Sequence, residues 1–298
     1  MIISLILNWM DYSSTIKCIE SVLHHTKTDK VLVVDNASTN DSALIIRQWI
    51  NDQNLHDKAV LIANHVNNGY GGGNNFGIAY CNTHFDYEKL WILNNDCYLE
   101  SNALAPMVKC IDQNKKTIVG SVILRSSDGK LECYGGGIVY PLLGKAKLYL
   151  KGEDKDSIKN DSELCPDYIM GCSLLLTKSF IDEVGLMDEM YFMYSEEVDW
   201  QRRAASFGWK IKVCPTSFVF HLGSGGSGGR SPTYHFMRNK AAILYNKKFN
   251  GLAFTILSAF LLMGVHIIIE RKSMKNIYSG IQGIFVGLKT KVNRWKKS

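Results

Sequence analysis

A chain of 298 residues, 46% hydrophobic and 21% charged, can bury a sizeable core and is too apolar to be disordered. Its net charge of +6 is concentrated in residues 270–298, where eight Lys/Arg face Glu270 alone. The body is therefore near neutral, which argues against nucleic acid as a partner, while the basic tail calls for an anionic one. Eight cysteines without a CxxC pair exclude a zinc ribbon or dithiol motif and fit reduced thiols in a cytoplasmic protein.

The N-terminus has no basic stretch, and its apolar run is too short for a signal peptide, so it reads as a buried strand. Strands are predicted at 2–7, 31–34, 59–62, 89–93 and 118–123. Helical spacing occupies 14–25, 42–53 and 74–83, with Ser13 and Asp41 as caps. This alternation predicts an α/β fold with a mostly parallel sheet and helices on both faces. Ligands in such sheets bind at the carboxyl ends of strands. The polar clusters there are Asn8–Asp11, Asp35–Asp41, Asn67–Asn75 and Asn94–Asp96. From 131 to 165 the rhythm breaks into Gly-rich extended segments and a charged loop. A second block, 168–221, reads strand, helix, acidic helix start, two strands, followed by a Gly/Ser loop at 223–229.

The tail, 233–298, reads as helical. Leu252–Ile269 is 18 residues without formal charge, borderline for a membrane span. In 274–297, Ile277, Ile281, Ile284, Leu288, Val292 and Trp295 share a helical face roughly 80° wide, flanked by basic residues. That pattern predicts a helix lying on an anionic bilayer, peripheral at the inner face of the plasma membrane. The alternative is that both helices dock on the body.

Several clusters carry chemistry. Asp35 and Asn36 end a buried strand and can pair with a nucleobase edge, whereas Ser38, Thr39 and Asp41 suit an Asx turn. The run from Asn67 to Gly77, with Gly72, Asn74 and Asn75, lets backbone approach a phosphate at a helix start. Leu90–Leu93 deliver Asn94, Asn95 and Asp96 to a strand end, where a hard carboxylate suits Mg²⁺ or Mn²⁺. Glu196, Glu197 and Asp199 crowd a helix start. One of them can act as a general base, Glu197 first and Glu196 in reserve, while Asp199 and Arg202 form an ion pair. His221 ends a strand and can join Asp96 as a metal ligand. Arg230, beyond the flexible loop, can close over a diphosphate.

Taken in order, these motifs resemble glycosyltransferase family 2, in its rhamnosyltransferase-like branch. Leu5-Ile-Leu-Asn8-Trp9-Met-Asp11 is similar to the family's opening "v.ILNWN". Val33–Ser42 is similar to "VVDNaSTDgS", Asn68–Ile78 to "N.G.agGNN.Gi", and Ile92–Asp96 to "LLNpD". Gly171–Gly208 follows the family's "fDE.fFmY.EDvDw" stretch, then come Val219–Ser227 and Tyr234–Asn239. The likeness covers about residues 2–245.

The resemblance implies a GT-A fold and inverting transfer of a sugar from a nucleoside-diphosphate donor to a hydroxyl. Asn8, Asp35, Asn36, Gly72, Asn74, Asn75, Asn94, Asn95 and Arg230 would hold the donor. Asp96 and His221 would hold Mg²⁺ or Mn²⁺, and Glu197, where the family usually has Asp, would be the base. The implied domains are a catalytic unit at 1–232, divided near 125 into nucleotide and acceptor halves, and a helical basic region at 233–298. The branch suggests dTDP-rhamnose as donor and a glycan or lipid-linked glycan of the bacterial cell surface as acceptor. UDP-hexose donors, a homodimer, and a catalytically inactive glycan-binding subunit remain open. A nucleotidyltransferase would need a basic phosphate motif that Asn8–Thr15 lacks.

Overall fold

The computed structural model describes residues 1–158, 164–223 and 231–295. Strands β1 (Ile2–Asn8), β2 (Lys30–Asp35), β3 (Ala59–Ala63) and β4 (Lys89–Asn94) alternate with helices α1 (Tyr12–His25), α2 (Ser42–Asp52) and α3 (Gly69–His84). There follow β5 (Cys97–Tyr98), α4 (Leu104–Asp112), β6 (Thr117–Arg125), β7 (Leu131–Cys133), β8 (Gly136–Tyr140), β9 (Lys145–Leu148) and β10 (Tyr168–Ile169). Next are β11 (Ser173–Thr177), α5 (Lys178–Val184), α6 (Glu196–Ser206) and β12 (Lys210–His221). The chain ends in α7 (Pro232–Phe249), α8 (Leu252–Ile269) and α9 (Met274–Lys289).

The main sheet runs β3-β2-β1-β4-β11-β6-β12-β5, with β7 on β6. Pairing is parallel from β3 to β4 and again between β6 and β12, while β11 lies reversed between the two blocks. The α/β sheet expected from the sequence is present, and β11, β5 and β7, each antiparallel to its neighbours, make it mixed. Strands are buried on both faces because side chains alternate. Val31 and Val33 belong to the core cluster on the face that α1, α2 and α4 cover, whereas Leu32 and Val34 belong to that on the face of α3, α5 and α6. Each such fully buried aliphatic side chain contributes about 1.5–3 kcal/mol.

One cap differs from expectation. Asp11, not Ser13, caps α1: its Oδ1 accepts the Ser14 amide at 3.0 Å, and Ser13 sits inside the first turn. The acid pair also differs. Asp199 bonds Arg203 one turn on, at 2.7 Å, because an i,i+4 partner lies directly above it. Arg202 turns outward to the Tyr245 hydroxyl and Asn250.

The two last helices correct the reading of the tail. The helix expected over 274–297 stops at Lys289, and its apolar face is spent inside the protein. Ile284 is fully buried, Leu288 and Val292 pack on core clusters, and Trp295 donates its amide to Lys248 O. The cause is a stripe of Gly280, Gly283 and Gly287 that lets α9 press against α7 and α8. A Cβ at Gly283 would sit 2.2 Å from the Phe236 carbonyl oxygen. Helix α8 is the opposite case. Its inward face holds all of its polar side chains, Thr255, Ser258 and His266, with Ala259 and Leu262, and its outward face carries Leu252, Ile256, Leu257, Phe260, Leu261, Ile267 and Ile268. It is the one helix among the described residues long and apolar enough to cross a membrane.

Candidate active site

Strand register assembles the first part of the site. Asp96 lies in the turn between β4 and β5, and the antiparallel pairing of β5 with β12 sets Cys97 opposite His221. Asp96 Oδ1 is 3.2 Å from His221 Nε2. On the other side of the ring, Nδ1 donates to Glu132 Oε2 at 2.7 Å. Burial alone would lower the imidazole pKa. The bonds to Asp96 and Glu132 outweigh it and push the value up to about 11.

This donor set fits a divalent cation. Two cis ligands about 2.1 Å from one octahedral ion lie about 3 Å apart, close to the spacing of these two atoms. Glu132 fixes the ring so that Nε2 faces Asp96, the arrangement found behind metal-binding histidines. A cation here competes with the imidazole proton. Cys97 is within reach of the pair, but burial pushes its thiol well up and it donates to Cys172 O at 3.5 Å, so Asp96 and His221 are the ligands of choice.

A cavity of about 390 Å³ opens at the carboxyl ends of β1, β2 and β4, lined by Trp9, Asn36, Asn67, Tyr70, Asn94, Asn95, Tyr194 and Tyr234 among others. A second cavity, about 530 Å³, shares Tyr194 and Tyr234 with it and contains Glu197 together with Lys145, Lys151 and Arg238. Glu197 is half-buried in this wall, and desolvation raises its pKa. Glu196 is 3% exposed and does not line the cavity. Burial and the charge of Glu197 raise its pKa well above the carboxylate range, and its Oε2 has no partner among the described residues. The fold thus separates two acids that local sequence leaves equivalent.

The loop before α6 is strained. Phe192, Tyr194 and Ser195 have φ of 65°, 70° and 72°, and Met10 and Ala37 beyond β1 and β2 are also left-handed. Such conformations cost about 1–3 kcal/mol each and persist where the surroundings enforce them. Here Gly69, itself at φ 76°, lies so close to the Phe192 backbone that a Cβ would overlap the carbonyl. From behind, Asp199 receives Tyr191 Oη, Arg203 Nε and Lys248 Nζ, and Lys248 also reaches Asp188 at 2.6 Å.

Four of the expected donor contacts lie inside the protein instead. Asn8 is fully buried, donating to Asp35 and accepting from Thr15 at 2.7 Å. Asn75 clasps Met187 through both amide atoms, and Gly72 packs against Asn68 and Glu189. Asn74 donates to Tyr70 O. Their side chains brace the cleft, and the glycines lie close to neighbouring side chains and backbone. Asp35 and Asn36 are 2% exposed, with Asn36 still on the cavity wall. Arg230 and most of the Gly/Ser loop lie outside the described residues. Glu132, Trp9, Tyr194 and Tyr234 were not singled out as site residues in the sequence. A run of apolar residues ending in a polar one marks a strand end, but nothing local marks Glu132.

The chain matches the glycosyl transferase family 2 profile over residues 7–183. It belongs to glycosyl transferase family 2. The hexosyltransferase Agl10 of low-salt glycan biosynthesis in Haloferax volcanii is 25% identical over 193 residues, 64% of this chain and 58% of that one. An N-acetylglucosaminyl-diphospho-decaprenol L-rhamnosyltransferase of Mycobacterium tuberculosis is 38% identical over 74 residues, a quarter of each chain. The chain thus spans little more than half of the first relative and a smaller part of the second. Among solved structures, GalNAc-T7 with UDP, GalNAc and Mn²⁺ superposes with a TM-score of 0.64 at 16% identity, over 84% of this chain and 48% of that one. This likeness identifies a GT-A fold. The family 2 profile ends before Glu197 and His221.

Proposed function

We propose that this family 2 glycosyltransferase moves a sugar from a nucleoside-diphosphate donor to a hydroxyl of a glycan or lipid-linked glycan in cell-surface polysaccharide assembly, with inversion. The observation that carries the reading is the pairing of Asp96 with His221 just after Asn94 and Asn95, which line one cavity, while a second cavity that shares Tyr194 and Tyr234 with the first holds Glu197. The donor's nucleoside takes the cavity of Trp9, Asn36, Asn67 and Asn95, and the acceptor takes that of Glu197. Asp96 and His221 would hold Mg²⁺ or Mn²⁺, and such an ion would supply Lewis-acid neutralisation of charge on the departing diphosphate. Glu197 accepts the proton of the acceptor hydroxyl. The hydroxyl oxygen then bonds to the anomeric carbon as that carbon's bond to the diphosphate oxygen breaks on the opposite face.

Rhamnose from dTDP-rhamnose is the first choice of donor, supported by the name of the mycobacterial relative. A UDP-hexose is the second, supported by the hexosyltransferase relative. The test is thermal stabilisation by dTDP and UDP with and without Mn²⁺, followed by product analysis with both sugar classes. Mn²⁺-dependent stabilisation and a product of inverted anomeric configuration are expected. Binding of neither nucleotide, or retained configuration, would sink the reading.

A further inference from the structure

Helix α8 is inside-out for a protein bathed in water. Its hydrogen-bonding side chains face the body: Ser258 Oγ accepts from Asn246 and donates to Leu142 O at 2.9 Å, and His266 Nε2 meets Asn276 O at 2.8 Å. Its outward stripe is apolar from end to end, with Leu252, Phe260 and Ile268 each 66–71% exposed. At 18 residues the stripe is about 27 Å long, a continuous surface rather than scattered apolar residues. Both ends carry cations. Arg271, Lys272 and Lys275 are exposed just beyond its C-terminus, and Arg294 lies beside Gly251 at its N-terminus. The lone acid between Leu252 and Trp295, Glu270, is buried.

We propose that α8 docks this protein on an anionic bilayer, lying in the leaflet surface with its apolar stripe in the acyl region and its terminal cations against lipid phosphate. The helix lies flat because spanning would strip Ser258 and His266 from their partners. A second copy fits the stripe poorly, since two such faces laid antiparallel would set cations against cations. The turn at Pro141–Gly144 links this surface to the chemistry. Leu142 O bonds α8, while Pro141 and Gly144 line the cavity that holds Glu197. Docking therefore brings that cavity to the leaflet, where a lipid-borne acceptor presents its head group. This last step rests on the acceptor reading above; the docking itself does not.

The experiment is flotation of the full chain with vesicles of phosphatidylcholine alone or with one quarter phosphatidylglycerol, alongside size-exclusion chromatography. Wild type is expected to float with the anionic vesicles. Leu257→Asp with Phe260→Asp, both exposed sites, should lower partitioning at least tenfold while thermal midpoint and nucleoside-diphosphate binding stay unchanged. Arg271→Gln, Lys272→Gln and Lys275→Gln should each cost about fivefold on anionic vesicles and little on neutral ones. Undiminished flotation of the double Asp variant overturns the proposal. So does wild type that fails to float but self-associates, with the double variant monomeric. Protein that resists alkaline carbonate extraction shows a span and overturns the flat orientation. Failure of the donor tests above leaves these flotation outcomes standing, so the two readings fail separately.

Discussion

The carboxylate–imidazole side of the site hangs on strand register, whereas the Glu197 side hangs on a strained loop braced from behind. Asp96, Glu132 and His221 sit on or beside strands of one sheet, so ladder hydrogen bonds set their spacing. Glu197 opens a helix whose preceding residues are held left-handed, with Asp199, Arg203 and Lys248 locking the far side. The difference teaches where each half is vulnerable. On that contrast, the sheet-built pair should tolerate the loss of a distant charge, while the proposed base should depend on groups that never touch substrate.

The largest expected effect is on the base itself. Glu197→Gln should lower kcat by about 10²–10⁴ with the fold intact, measured as initial transfer rate beside a thermal melt. Because desolvation raises its pKa, the acid limb of kcat/KM in wild type should be shifted upward from the ordinary glutamate value. The sign for stability follows. A carboxyl with a raised folded pKa favours the neutral native form, so Glu196 and Glu197 stabilise at low pH and lose that contribution as pH climbs from the ordinary value of 4.5. A base limb where the acid limb should be would break the assignment.

Next comes the brace. Lys248→Met removes a cation buried between Asp188 and Asp199 and should cost about 3 kcal/mol of unfolding free energy by denaturant titration. Its effect on Mn²⁺ affinity should be small; a comparable loss there would erase the contrast between the two halves. The smallest effect belongs to Glu132→Gln. Freed from its carboxylate partner, His221 should hold Mn²⁺ about tenfold more weakly in a calorimetric titration, with stability hardly changed. Unaltered affinity would show that the ring is oriented by the sheet alone.

Much of this was legible before the fold was known. Apolar runs ending in Asp35 and Asp96 mark carboxyl ends of buried strands, because hydrophobic patterning and strand burial are the same physics. Asn8 and Asn75 were not legible as internal struts, since an amide offers the same chemistry to a ligand as to a neighbouring backbone. Glu197 could be told from Glu196 only once α6 had an orientation. The tail gave the sharpest disagreement. Periodicity showed which face of α9 is apolar, but the glycines that bring α7 against it decided what that face meets. In α8 the near-absence of polar residues hid the fact that the few present all point inward.

The pairing of Asp96 with His221 and of Asp199 with Lys248 also sets an order in time. During translation β1 to β4 emerge first and can pair among themselves, whereas the imidazole of His221 and the bracing ammonium of Lys248 follow only after β11. A nascent chain interrupted after β11 would carry the sheet core without a competent centre. The proposed centre can therefore assemble only once the chain has been made as far as Lys248.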